Sequence, residues 1–259
     1  MNFNRPPQIL TIVREGAIDK ISKSLNKFII LAILGGAYIS IGSMFAVTVA
    51  GGLNSLSVLN PGIVKLVFGL TFPLGFLLVT LAGAELFTST TAIMGVGLFS
   101  KTLNIKTLLK IWGLSYFFNL IGSLIVVFLT YKSGLFSSES YKEYIFHIAD
   151  KKLENPFFTA FVKGIFANWL VCLAAFVAYA SKDVTGKIFA MWLPVTAFVA
   201  MGMEHSIANM FFIPMASVLG HDVSIFEFII RNLIPVTLGN ITGGVIFVAL
   251  PYSIIYLDK

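Results

Sequence analysis

The stretch MGMEHSIANM, residues 201–210, places a carboxylate, an imidazole and an amide inside an apolar run from Ile188 to Val218. Polar side chains in hydrocarbon are costly and mark a pathway or a bonded partner. Whether this run is membrane decides the fold, and the composition answers that. Of 259 residues, 57% are hydrophobic and 12% charged, with a mean hydropathy of +0.91, whereas a soluble domain is about one-quarter charged. Six apolar segments, at roughly 28–50, 63–99, 107–130, 157–180, 187–219 and 228–251, each reach the roughly 20 helical residues that cross a bilayer core. The expected fold is an all-α polytopic membrane protein, one transmembrane channel domain over residues 1–259.

A related pattern occurs once earlier. Segment two begins FGLTFPLGF from Phe68 and segment five FAMWLPVTAF from Phe189, each with a proline five residues on, Pro73 and Pro194. Each then reaches Gly-x-Glu, at Gly83–Glu85 and Gly202–Glu204. Asn119-x-x-Gly122 and Asn240-x-x-Gly243 follow, 34 and 36 residues beyond the glutamates. Three spans reverse direction, so the pattern predicts two inverted three-helix repeats, 28–130 and 157–251, with a path at their interface. Segments two and five are too long for one crossing and are expected to break, at GAELFTST (83–90) and GMEHSIANM (202–210). Irregular backbone at that depth must line a cavity or be covered by protein.

No cleavable signal is expected in residues 1–27, where basic and polar residues precede the first apolar run, and 8–25 spaces Ile9, Leu10, Ile12, Val13, Ala17, Ile18 and Ile21 at helical intervals. This predicts an amphipathic helix on the inner membrane surface, where it could act as a cytoplasmic plug. With the N-terminus inside, eleven Lys and Arg fall on inner segments, Lys259 among them, and five on outer loops: Lys65, Lys132, Lys142, Lys151 and Lys152. Both termini are therefore expected in the cytoplasm. The net charge of +6 reads as this bias, so nucleic acid is not an expected partner.

Among the polar residues, Glu85 and Glu204 are expected to accept backbone N–H groups freed by the breaks, with Gly83 and Gly202 forming the turns; a proton relay is the alternative for the carboxylates. His205 stands opposite Leu86 in the repeat. As the one imidazole at a break, it suits stabilising a passing anion or exchanging a proton with a weak acid. Leu86, Phe87 and Phe198 read as core or as apolar constrictions. Thr88 reads as a permeant's hydrogen-bond partner or a helix cap. Asn168 and Asn209 are counted with the pore and selectivity residues, with bonding between helices as their default role. Lys151 and Lys152, in the loop before segment four, are solvated or attract anions to an entrance. His147 and His221 receive no role, and Cys172 reads as a small buried hydrophobe. No phosphate loop, metal spacing or nucleophile elbow is present, so neither an enzyme nor a cofactor nor a metal is expected.

GAELFTST, FANWLVCLA (166–174), GMEHSIANMFFIPM (202–215) and GNITGG (239–244) resemble the signature segments of the formate/nitrite transporter family, in order and along nearly the whole chain. Within it the sequence is similar to the clostridial hydrosulfide channel branch. The resemblance implies an aquaporin-like fold, a homopentamer with one pore per protomer, and a bacterial cytoplasmic membrane. It places the pore histidine at His205 beside Glu204, one constriction at Leu86, Phe87 and Thr88, and another at Phe198. Counting back sixteen residues from Asn168 puts the vestibule lysine at Lys152, with Lys151 beside it as the alternative. The implied cargo is a small monovalent anion of a weak acid: formate, nitrite or hydrosulfide. An aquaporin-like channel for neutral solutes is the competing reading, although neither break contains Asn-Pro-Ala. An intramembrane enzyme or receptor built on His205 and Glu204 lacks a second catalytic partner.

Overall fold

The computed structural model describes residues 3–53 and 59–257. Lys259, counted above among the inner basic residues, and residues 54–58 of the first repeat lie outside that range. Among the described residues there are helices and no strands, only an isolated bridge between Phe3 and Ser181.

The helices are α1 (Pro6–Ser22), α2 (Leu25–Gly51), α3 (Pro61–Thr71), α4 (Pro73–Leu81), α5 (Phe87–Phe99), α6 (Ile105–Ser133), α7 (Glu139–Leu153), α8 (Phe157–Ala180), α9 (Val184–Ala200), α10 (Ser206–Val218), α11 (Ile234–Gly244) and α12 (Leu250–Tyr256). Among the described residues five helical stretches are long and apolar enough to cross a membrane: α2, α3 with α4, α6, α8, and Glu227–Tyr256. The apolar segment 187–219 gives no such helix, because it divides into α9 and α10, of 17 and 13 residues. Segment 63–99 divides likewise between α4 and α5.

Both interruptions are shorter than the sequence suggested. Only 82–86 and 201–205 are irregular, so Phe87, Thr88 and Ser206 already belong to helices. Each break turns on a glycine at positive φ, Gly83 at +80° and Gly202 at +70°, a region where a Cβ is penalised.

Proline shapes the last span. Pro235 and Pro251 have no N–H to give to the carbonyl four residues back, which their rings also crowd. In each case the turn just upstream widens into a π-helical segment, Glu227–Leu233 and Val245–Ala249. Such widening relieves an interrupted ladder without ending the helix.

Two regions differ from expectation. Part of the α1 stripe faces protein: Ile9, Leu10, Val13 and Ala17 are buried against α5, α8 and α12, while Ile18 and Ile21 stay exposed. The segment ahead of it is pinned, with Asn4 N–H donating to the Ala180 carbonyl at 2.8 Å. Residues 131–156, read as a loop, contain α7. Its Tyr144, Ile145 and Ala149 are buried, and Asp150 meets His221 Nε2 at 2.7 Å. The charged half of α7 hid this helix from a reading based on apolar runs.

Glycine allows the closest approaches. A methyl on Gly36 of α2 would overlap the Asn119 carbonyl of α6, and one on Gly122 of α6 would overlap the Ile33 carbonyl of α2. Backbone cannot yield there as a side chain would. Gly36→Ala is expected to cost at least about 2 kcal/mol, towards the upper part of the overpacking range. Thermal unfolding in detergent checks this, and an unchanged midpoint would refute the close-packing argument.

Candidate functional site at two broken helices

A break frees backbone groups that lipid cannot satisfy, so the question is where their bonds go. Glu85 N–H donates to the Leu31 carbonyl at 2.9 Å and Glu204 N–H to the Lys163 carbonyl at 3.4 Å. The next groups are taken by two asparagines. Asn119 Oδ1 accepts Phe87 N–H at 2.9 Å, while its Nδ2 donates to the Glu85 carbonyl at 2.8 Å and the Ala32 carbonyl at 2.6 Å. Asn240 repeats this: Oδ1 accepts Ser206 N–H at 2.9 Å, and Nδ2 donates to the carbonyls of Glu204 at 3.0 Å and Gly164 at 2.8 Å. Only an amide side chain offers both an acceptor and a two-proton donor in this compass.

This corrects the expected role of the glutamates. Their side chains accept no freed backbone N–H; each faces a lysine instead. Glu85 Oε1 pairs with Lys20 Nζ of α1 and accepts the Thr90 hydroxyl at 3.1 Å. Glu204 Oε2 pairs with Lys152 Nζ of α7 at 3.2 Å and accepts Asn209 Nδ2 at 2.7 Å. Both carboxylates are 3% exposed, and a buried charge persists when paired and hydrogen-bonded. Lys20 was missed at sequence level. Its signal was available: if Lys152 answers Glu204, the matching Glu85 needs a cation from a preceding helix.

The two breaks meet at Thr88 and His205, where Thr88 Oγ1 lies 2.9 Å from His205 Nε2. His205 is also the N-cap of α10, its Nδ1 accepting Ala208 N–H at 3.1 Å. A ring nitrogen that accepts holds no proton, so the neutral tautomer carries its hydrogen on Nε2 and donates it to Thr88. Thr88 is not a cap, since Leu86 occupies that position of α5. Behind it, the Thr88 carbonyl accepts Asn168 Nδ2 at 3.2 Å, and that amide also reaches Thr91 Oγ1 at 2.9 Å and the Asn240 carbonyl at 2.6 Å. Asn168 thereby ties α8 to α5 and α11. Cys172 is fully buried beside Thr88, its Sγ 3.5 Å from the same carbonyl.

A cavity of about 810 Å³ leads to this point from the side of α7. Lys65, Lys151, Lys152 and Lys163 line it against Glu154 and Glu204, together with Phe198 and His205. Phe198 stacks on the imidazole, with ring centroids 5.9 Å apart and planes at 26°. Lys152 is 14% exposed and held over the Phe212 ring at 5.3 Å, whereas Lys151 is 65% exposed and pairs with Glu154. His147, given no role from sequence, lines the same cavity. Leu86 and Phe87 are buried but do not line it; the Phe87 ring packs edge-on against Tyr116 at 4.9 Å and Trp112 at 6.5 Å. A second cavity, about 680 Å³, lies among α6, α10 and Val223–Leu238 and contains no ionisable group other than the Tyr116 phenol. Among the described residues no group of His, Cys, Asp and Glu could hold a metal.

Apolar helices, two breaks closed by amides and a lysine-lined approach to a buried imidazole define a helical membrane transport protein. The sequence model of the family "Formate/nitrite transporter" matches residues 7–254, and this chain belongs to that family. It is 43% identical over 250 residues to a probable formate transporter of Methanothermobacter thermautotrophicus, covering 91% of this chain and 90% of the relative. Among solved structures, one described as an FNT family ion channel superposes with a TM-score of 0.86 at 30% identity, covering 95% of this chain and 98% of that one. Another, described as a pentameric formate channel with formate bound, gives 0.77 at 36% identity, covering 90% and 98%.

Proposed function

We propose that the protein is a membrane channel for small monovalent anions of weak acids, with formate, hydrosulfide and nitrite as its substrate class. The observation that carries this reading is that His205, which lines the lysine-lined cavity, meets Thr88 of the other break at 2.9 Å. An anion leaving the lysines finds the His205 Nε2–H and the Thr88 hydroxyl as donors, at the N-termini of α5 and α10, where the helix dipoles favour negative charge. Because Nδ1 is engaged with Ala208 N–H, a second ring proton would displace the cap. His205 therefore acts as a neutral hydrogen-bond donor, and its role as proton source, left open by the sequence, is disfavoured. Phe198 and Leu86 set the apolar limits of the path on either side.

The finer architecture follows the same reading: six spans in two inverted repeats, both termini cytoplasmic, in a bacterial cytoplasmic membrane. Support comes from the paired roles of Asn119 and Asn240 and from the eleven inner basic residues. A homopentamer is proposed on the likeness to the pentameric formate channel.

Flux of the three anions and of water from proteoliposomes at two pH values, with single-channel recording alongside, tests the assignment. Water permeability far above anion flux would replace it with a neutral-solute channel. The two lysines give a sharper contrast. Lys152→Ala is expected to slow anion uptake about 10-fold, the low end of electrostatic focusing. The solvated charge of Lys151 is screened within about 10 Å, so Lys151→Ala should stay within about twofold. Equal losses in both variants would remove Lys152 from its assigned place.

A further inference from the structure

We infer that Asn232 is a positioning residue: through Asn209 it fixes the hydrogen-bond polarity at the Lys152–Glu204 pair and keeps the Glu204 carboxylate out of the anion path. The inference deepens the channel reading above and rests on it for its transport arm.

Asn232 is fully buried at the end of the π-helical segment Glu227–Leu233. Its Nδ2 donates to the backbone carbonyl of Lys152 at 3.1 Å. A carbonyl can only accept, so the orientation of the Asn232 amide is fixed and its Oδ1 points the other way. That oxygen accepts Asn209 Nδ2 at 2.7 Å. Asn209 must therefore present its donor end, and the same Nδ2 reaches Glu204 Oε2 at 2.7 Å. Its two N–H groups are both spent, and Glu204 is required as an acceptor. The chain starts on the backbone of Lys152 and ends on the carboxylate that the Lys152 ammonium also holds, at 3.2 Å, which closes a ring of contacts.

Such a ring matters because Glu204 and His205 are adjacent and both line the cavity. A carboxylate freed from Asn209 competes with the permeant anion for the Lys152 ammonium and the His205 Nε2–H. The first break has a simpler arrangement: Thr90, five residues after Glu85 as Asn209 is after Glu204, supplies one hydroxyl to its carboxylate. Its hydroxyl imposes no comparable polarity.

Asn232→Leu removes the polarity anchor. Anion flux titrated from the Lys152 side is expected to show a KM about 5-fold higher, with maximal rate changed less than twofold. In the Glu204→Gln background, where no carboxylate is left to compete, Asn232→Leu should leave KM within twofold. A merely structural role would lower the maximal rate and ignore residue 204. Asn232→Ser, which is smaller and polar, repeats the comparison if the leucine variant does not reach the membrane. The inference falls if an active Asn232 variant has the wild-type KM, or if the rise persists in the Glu204→Gln background.

Thermal unfolding of the same four proteins in detergent reads the linkage without transport. The midpoint shifts of the single variants should fail to add by about 2 °C or more, as for residues in one hydrogen-bond network. Strict additivity would overturn the linkage. Absence of anion flux through the wild type would instead overturn the channel reading and leave this cycle to decide on Asn232.

Discussion

Asn240→Leu is expected to lower the unfolding midpoint in detergent by about 10 °C. Ser206 N–H and the Glu204 carbonyl lie at the break and lose the partner they have in Asn240. A buried polar group left unsatisfied costs about 1–3 kcal/mol, so two of them cost about 2–6 kcal/mol. That is a large share of a stability of about 5–15 kcal/mol. At roughly 2–4 °C per kcal/mol for a chain near this size, the shift is far outside experimental scatter. Asn240→Asp keeps the acceptor for Ser206 N–H and gives up only the donor, so it should lose less than the leucine variant. Asn119→Leu should behave like Asn240→Leu, because its three bonds have the same logic. A leucine variant melting within about 2 °C of wild type would show that the breaks do not depend on these amides.

His205→Phe is expected to cut anion flux through proteoliposomes at least about 100-fold. The substitution removes the imidazole donor at the meeting point of the breaks and puts a second apolar ring beside Phe198. Hydrogen bonds to charged groups contribute about 1.5–3 kcal/mol, which converts to roughly 10- to 150-fold. The lost cap on Ala208 N–H adds about 1 kcal/mol of helix cost. His205→Asn separates these effects. Asparagine caps well but cannot reach Thr88 as the imidazole does, so its loss should be nearer 10-fold with little change in melting. Flux through His205→Phe equal to wild type would place the path elsewhere.

Much of this arrangement could be read from the sequence, and the rest failed for identifiable reasons. The helical class and the two interruptions followed from apolar length and from polar residues where lipid rewards none. Gly83 and Gly202 marked both turns, and His205 stood out because its repeat position holds Leu86. The asparagines were seen as repeat markers, yet their work was credited to the glutamates. A carboxylate and an amide look equally polar in a string, and only geometry shows which one straddles a donor and a carbonyl. Lys20 was missed because its tie spans 65 residues, beyond any local pattern, and α7 because its charged half interrupts any apolar run. Asn232 follows Arg231 at the start of an apolar segment and belongs to no motif that marks a site. Phe87 shared a motif with Thr88, but adjacent positions on α5 point in different directions, and its ring turns toward Trp112 and Tyr116.

The direction of the two glutamate–lysine ties has a consequence for how the protein is made. In both, the cation comes first along the chain: Lys20 precedes Glu85 by 65 residues and Lys152 precedes Glu204 by 52. A ribosome therefore delivers each lysine, at the edge of a helix already synthesised, before the carboxylate that must be buried. No acidic group has to wait in lipid for a partner not yet translated. The order of synthesis itself lowers the hazard of placing two charges at membrane depth.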